Sequence, residues 1–249
     1  MKRRIIAVCG KGGVGKTTVS AIIAQHLARR EGVKTLVVDA DPAGGLAMAL
    51  GFKSQFTLND IRRETIEEIR RGETDKQDLA ASIDYRLWDA IHEHGRLAFF
   101  PIGRPEEIGC YCSVNSLLRR AIELLAEEFQ VILIDAEAGI EQINRQVMSQ
   151  VDTLLLVSDR SLKGLRVIET IADVAGNLTE SLGVHLLLNR ITSTEQAGQV
   201  AGNTDLPLAG WAPEDETVAR FDAEGLSFFD LPECPAAKAI VEVLAKLQI

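Results

Sequence analysis

The residues with the most chemical potential form one string near the start of the chain, Gly10-Lys11-Gly12-Gly13-Val14-Gly15-Lys16-Thr17-Thr18. Gly10 to Thr17 fits G-x-x-x-x-G-K-T, in which the glycines let successive backbone N–H groups turn inward around a phosphate. The helix that follows adds the positive end of its dipole. Lys16 is spaced to reach β- and γ-phosphates, and the Thr17 hydroxyl to ligate Mg²⁺. Two strand ends then supply carboxylates. Val37-Val-Asp39-Ala-Asp41-Pro42 puts Asp41 near the phosphates, where it can position an attacking water, and Asp39 within reach of the Mg²⁺ water shell; a cap or turn is the plain alternative for each. Val131-Ile-Leu-Ile-Asp135 is an apolar strand ending in an aspartate suited to hold Mg²⁺ through water. Leu186-Leu-Leu-Asn189-Arg190 ends another strand, and an asparagine there offers both a donor and an acceptor to an adenine edge. Guanine-reading proteins carry N-K-x-D at this place; here the fourth residue is Thr192, so ATP and ADP are the expected nucleotides.

A second kind of chemistry is written in Cys110-Tyr111-Cys112. A disulfide between residues so close would be strained, whereas two thiolates two residues apart can grip one metal. Ser113 opens an expected helix to Glu128, whose dipole favours the thiolate. Two thiolates are half of a tetrahedral site, and two copies of the chain around a two-fold axis complete it. Ni²⁺, Zn²⁺ and an iron–sulfur cluster can all use such thiolates. Cys9, in the first strand, reads as a core thiol, and Cys234 has no assigned role. His92-Glu-His94 reads as a solvated polar loop in preference to a metal site, and Trp88 and Trp211 as packing residues.

The loop with its second lysine, Lys11, resembles the deviant Walker A loop of the MinD/ParA and nitrogenase iron protein class. That resemblance implies that Lys11 reaches across a dimer interface to the partner's nucleotide and that Asp41, in a D-x-D-P element, serves the attacking water. Asp135-Ala-Glu-Ala-Gly139 resembles the D-x-x-A-G switch of the class, which implies that the Gly139 amide senses the γ-phosphate. Backbone at the segment matching Pro213-Glu-Asp215 is implied to hold the base. With Ile108-Gly-Cys-Tyr-Cys-Ser-Val-Asn-Ser-Leu-Leu118 added, nearly the whole chain is similar to the CooC family, ATPases that assist nickel insertion into carbon monoxide dehydrogenase. What this implies is a homodimeric ATPase with Cys110 and Cys112 sharing a metal across the dimer and a metalloenzyme client. Two other readings stand beside it: a MinD/ParA-type positioning ATPase, and an iron–sulfur ATPase for electron transfer or cluster delivery.

These groups need a frame to hold them. Short β-branched runs alternate with helical patterns along the 249 residues, which predicts one α/β domain over 1–249 with a doubly wound, mostly parallel sheet. Strands are expected at Arg4–Cys9, Val33–Asp39, Leu97–Ile102, Val131–Asp135, Thr153–Ser158, Val184–Asn189 and Leu206–Trp211. Helices are expected at Lys16–Arg30, Glu141–Gln150, Leu162–Ser181 and Ala236–Leu247. The stretch at about 51–96 breaks the alternation; it is charge-rich with weak periodicity and reads as an irregular helical insertion. Apolar residues at 46% can fill a core, and a net charge of −9 argues against general nucleic-acid binding. No window approaches a membrane span and no leader is convincing, so a cytoplasmic protein without stable membrane association is expected.

Overall fold

The computed structural model describes residues 3–53, 56–71, 76–104, 122–123, 125–136, 151–176 and 183–249. Eight strands form one sheet in the order β3-β4-β2-β5-β1-β6-β7-β8. They are β1 (Arg4–Gly10), β2 (Thr35–Asp39), β3 (His92–His94), β4 (Leu97–Pro101), β5 (Val131–Asp135), β6 (Thr153–Ser158), β7 (Gly183–Ile191) and β8 (Leu208–Pro213). All neighbours pair in parallel except β3, which runs antiparallel to β4 at the edge. Every residue of β2, β4, β5 and β6 is buried. Such continuously apolar runs are what a parallel sheet covered on both faces requires.

Because side chains alternate along a strand, β1 feeds two cores. Ile5, Ala7 and Cys9 face one, Ile6 and Val8 the other. The first core is closed by α3 (Leu58–Arg71), α4 (Lys76–Asp89), α5 (Leu162–Gly176) and α6 (Thr194–Ala201). The second is closed by α1 (Lys16–Ala28), α2 (Gly45–Leu50), α7 (Glu216–Glu224) and α8 (Pro235–Lys246). The doubly wound, mostly parallel α/β architecture expected from the sequence is therefore the one observed.

The stretch at 51–96 is more regular than its charge suggested. In α3 the buried Leu58, Ile61, Thr65 and Ile66 make one stripe among the charges, and Arg86 of α4 pairs with Glu64 and Glu68 of α3. His92-Glu-His94 is not a loop: it is strand β3, with His92 opposite Phe99 and His94 opposite Leu97. The His94 ring stacks on Phe229 at 3.9 Å, so packing of β3 against an aromatic cluster overrides its polarity. Trp88 departs from the packing role expected of it, being 52% exposed, while Trp211 packs against the core as expected. Cys9 is fully buried, and burial pushes its thiol up to about 12. Cys234 is buried at the N-terminus of α8. Of the expected helices, most of Ser113–Glu128 and all of Glu141–Gln150 lie outside the described residues, as do Cys110, Cys112 and Gly139. No described helix is long and apolar enough to cross a membrane.

Candidate active site

Parallel strands deliver their C-terminal ends to one edge of the sheet, which is where such folds build their sites. The glycine string lies there, between β1 and α1. Gly10 pairs with Val157 of β6, and a Cβ on Gly10 would stand 2.2 Å from the Val157 carbonyl oxygen, so only glycine lets the loop leave the sheet at this point. Gly15 ends the loop at φ 89°, a left-handed conformation that starts α1 without strain only in glycine. No side chain caps α1 and its first turn carries no acid, so its leading N–H groups stay open to an anion. Lys16 is 7% exposed, and its ammonium folds back to donate to the Lys11 carbonyl at 3.3 Å.

Asp39 and Asp135 end adjacent strands in register. Both are 1% exposed. Asp39 accepts from the backbone N–H of Asp41 at 3.2 Å and of Ala47 at 3.0 Å. Burial nevertheless pushes its carboxyl up to about 7, with Asp135 adding to the rise. Asp41 accepts from the Ala43 N–H at 2.8 Å, forming the turn that leads into α2. Asp135 accepts from the Ser20 hydroxyl at 2.9 Å through Oδ1, while Oδ2 is buried with no hydrogen-bond partner among the described residues. Burial raises its carboxyl to about 6, against the pull of the Ser20 and Thr17 hydroxyls and of the Lys16 charge. A buried carboxylate oxygen left open beside a threonine and an ammonium is an arrangement that suits a hydrated cation.

The far side of the loop meets the end of β7. Asn189, 7% exposed, donates its amide N–H to the Val14 carbonyl at 2.9 Å. The amide carries an acceptor oxygen and a second hydrogen besides. Arg190 donates to the Gly13 carbonyl at 3.2 Å. Thr18, Asn189, Arg190, Pro213 and Asp215 line a cleft of about 190 Å³ beside the loop, roomy enough for a flat base. Asp215 fixes its floor by capping two helices at once. It accepts from Thr217 and Val218 of α7 and from Ala236 of α8. Partial burial works to raise its carboxyl, but these amides and the Cys234 thiol hold it below the usual range.

The structure thus brings Gly10 to Thr18, Asp39, Asp41, Asp135, Asn189 and Pro213 to one edge of the sheet. Ser20, Arg190 and the Asp215 side chain join them without having been singled out in the sequence. Ser20 is a turn of helix beyond Lys16, at i+4, and that spacing is the signal that finds it. Among the described residues no cluster of three or more histidine, cysteine or acidic side chains is arranged to hold a metal.

A family model described as an AAA domain matches residues 3–184. The chain belongs to this family, the P-loop ATPases of MinD/ParA type. The ATPase is 33% identical to an uncharacterised ATP-binding protein of Methanocaldococcus jannaschii, with 97% of each chain covered. It is 31% identical to the carbon monoxide dehydrogenase accessory protein CooC of Rhodospirillum rubrum, over 92% of this chain and 91% of that one. In fold it is similar to a ParA family ATPase from Chlorobium tepidum, with a TM-score of 0.73, 23% identity and coverage of 99% and 98%. The ATPase hydrolyses ATP.

Proposed function

We propose that this ATPase is a homodimeric accessory factor that binds a transition metal, Ni²⁺ by preference, and passes it to a metalloenzyme under control of ATP. The observation that carries the proposal is the likeness to the carbon monoxide dehydrogenase accessory protein over nine-tenths of the chain, in a sequence that also holds Cys110-Tyr111-Cys112. By that likeness, carbon monoxide dehydrogenase or a related enzyme is the client.

In this reading the phosphates lie in the Gly10–Thr18 loop, with Lys16 on the β- and γ-phosphates. Thr17 and Asp135 would hold a hydrated Mg²⁺, which would supply positive charge beside the phosphates. Support for Asp135 comes from its open, buried Oδ2. Asp39 belongs more to the frame, because backbone amides already occupy its oxygens and shape the turn that presents Asp41. Asp41 orients the attacking water. Asn189 and the Pro213 backbone take the adenine edge in the cleft next to the loop. Lys11 serves the nucleotide of the second copy, and the Gly139 amide reads the γ-phosphate. Cys110 and Cys112 from two copies then make one four-thiolate site on the two-fold axis, so that nucleotide-driven closing and opening of the dimer gathers and releases the cargo.

The test is a titration of metal-free protein with Ni²⁺ and with Zn²⁺, following bound metal and mass in solution, beside Cys110→Ser/Cys112→Ser. One metal per two chains, lost in the double variant, is the expected result. Equal binding without the cysteines, or none at all, sinks the metal reading and leaves an ATP-switched protein whose partner is still to be found. Visible absorption from a bound cluster would move the assignment to iron–sulfur delivery.

A further inference from the structure

Neighbouring residues of a strand point to opposite faces of the sheet. Asn189 and Arg190 break that rule, since both side chains reach the phosphate loop. The cause is a β-bulge. Leu188 pairs with Trp211 and Ile191 with Pro213, so β7 carries one more residue than β8 over the same span. Within the bulge Arg190 sits at φ 58°, in the left-handed region that side chains other than glycine, asparagine and aspartate seldom adopt. A long charged residue held there is a conformational cost, and the contact it makes is the Gly13 carbonyl at 3.2 Å.

That contact has a consequence for the loop. In a planar trans peptide the C=O and N–H point in opposite directions. Drawing the Gly13 carbonyl toward Arg190 turns the Val14 N–H the other way, and drawing the Val14 carbonyl toward Asn189 does the same for the Gly15 N–H. Close packing keeps the arrangement in register, for a Cβ on Gly15 would fall 2.4 Å from the Asn189 amide nitrogen. We infer that Arg190 is a positioning residue for ATP hydrolysis: with Asn189 it forms a bulge-borne clamp that turns two amides of the loop into the cradle, and so presets the loop for a polyphosphate before any ligand arrives.

The inference rests on the phosphates lying in this loop. The probes are Mg²⁺·ADP and Mg²⁺·tripolyphosphate, which has the phosphates and no base, each titrated against wild type, Arg190→Gly and Arg190→Lys. Glycine removes the guanidinium and relieves the left-handed strain, so Arg190→Gly should melt no lower than wild type. It should bind both probes about tenfold more weakly, the scale of one charge-assisted hydrogen bond lost. Arg190→Lys should recover most of that loss. Wild-type affinity for both probes in Arg190→Gly overturns the inference, whatever the melting temperature does. A loss confined to ADP overturns it too, because it would make Arg190 a base contact. If wild type itself binds neither probe, the phosphate site is misplaced and the inference goes with it.

Discussion

The ends of β2 and β5 look interchangeable. Each strand is an apolar run closed by an aspartate, the two aspartates are in register, and both are buried to the same degree. Their surroundings differ in one respect. At Asp39 the chain turns back, and the amides of Asp41 and Ala47 come down onto the carboxylate. At Asp135 the facing element is α1, which offers the Ser20 hydroxyl to one oxygen and brings the Thr17 hydroxyl near, while the other oxygen has no hydrogen-bond partner among the described residues. A strand-end carboxylate is structural when its own loop folds over it, and available for chemistry when a neighbouring helix holds it half-satisfied.

The contrast can be broken by experiment, most sharply at Asp135. Asp135→Asn keeps the Ser20 contact and removes the buried charge. ATPase activity should fall at least ~100-fold, on the scale of losing a preorganised charge-stabilising group. The melting temperature without ligand should hold or rise, and the gain on adding Mg²⁺ and ADP should shrink. Near-normal turnover would mean that the open oxygen is not part of the reaction. Asp39→Asn should show the reverse bias. It sets an amide N–H₂ against backbone donors, costing about 1–3 kcal/mol of stability, which thermal melting would read as a drop of several degrees with a smaller loss of activity. A variant as stable as wild type would place Asp39 on the chemical side of the comparison.

The smallest effect is in pH. Both carboxyls are raised, Asp39 to about 7 and Asp135 to about 6, each chiefly by burial. A raised carboxyl keeps its proton in the folded chain after the unfolded chain has released it, so the contribution of these two groups to stability falls as pH rises from near 4 and levels off above 7. Asp135→Asn lacks one of the two contributions. It also weakens the other, because Asp135 helps to raise Asp39, so its melting temperature should gain on wild type from pH 4 to about 7 and run parallel above that; a constant difference across the range would show that Asp135 is ionised throughout.

Much of this was legible in the residues. The limits of β5 and β6 coincide with those read from the sequence, because a run such as Val-Ile-Leu-Ile-Asp buried on both sides has no competing period. The glycine loop, the aspartates and Asn189 were found by type and spacing and do meet at one edge. What was illegible depended on partners far along the chain. The stripe Leu58, Ile61, Ile66 is diluted by charges and by Thr65, whose hydroxyl is satisfied inside its own helix by the Ile61 carbonyl, so a polar residue sits where the pattern wants an apolar one. His92 and His94 gave a polar signal, and only the opposing β4 and Phe229 make them a strand. Nothing local distinguishes Asp39 from Asp135. Arg190 stood in plain view beside Asn189, but the bulge that aims it comes from a register slip against β8 that one strand's sequence does not encode.

The order of the strands also sets a timetable. β1 carries the glycine loop and is made first, yet it lies between β5 and β6, with Ile6 beside both Leu133 and Thr153. The loop carbonyls are then held by residues 189 and 190. A ribosome that has released only the first half of the chain presents a phosphate loop with no sheet on either side of it. Nucleotide competence is thus a late event of biosynthesis, and the growing polypeptide must carry its apolar first strand unpaired until the middle of the chain arrives to enclose it.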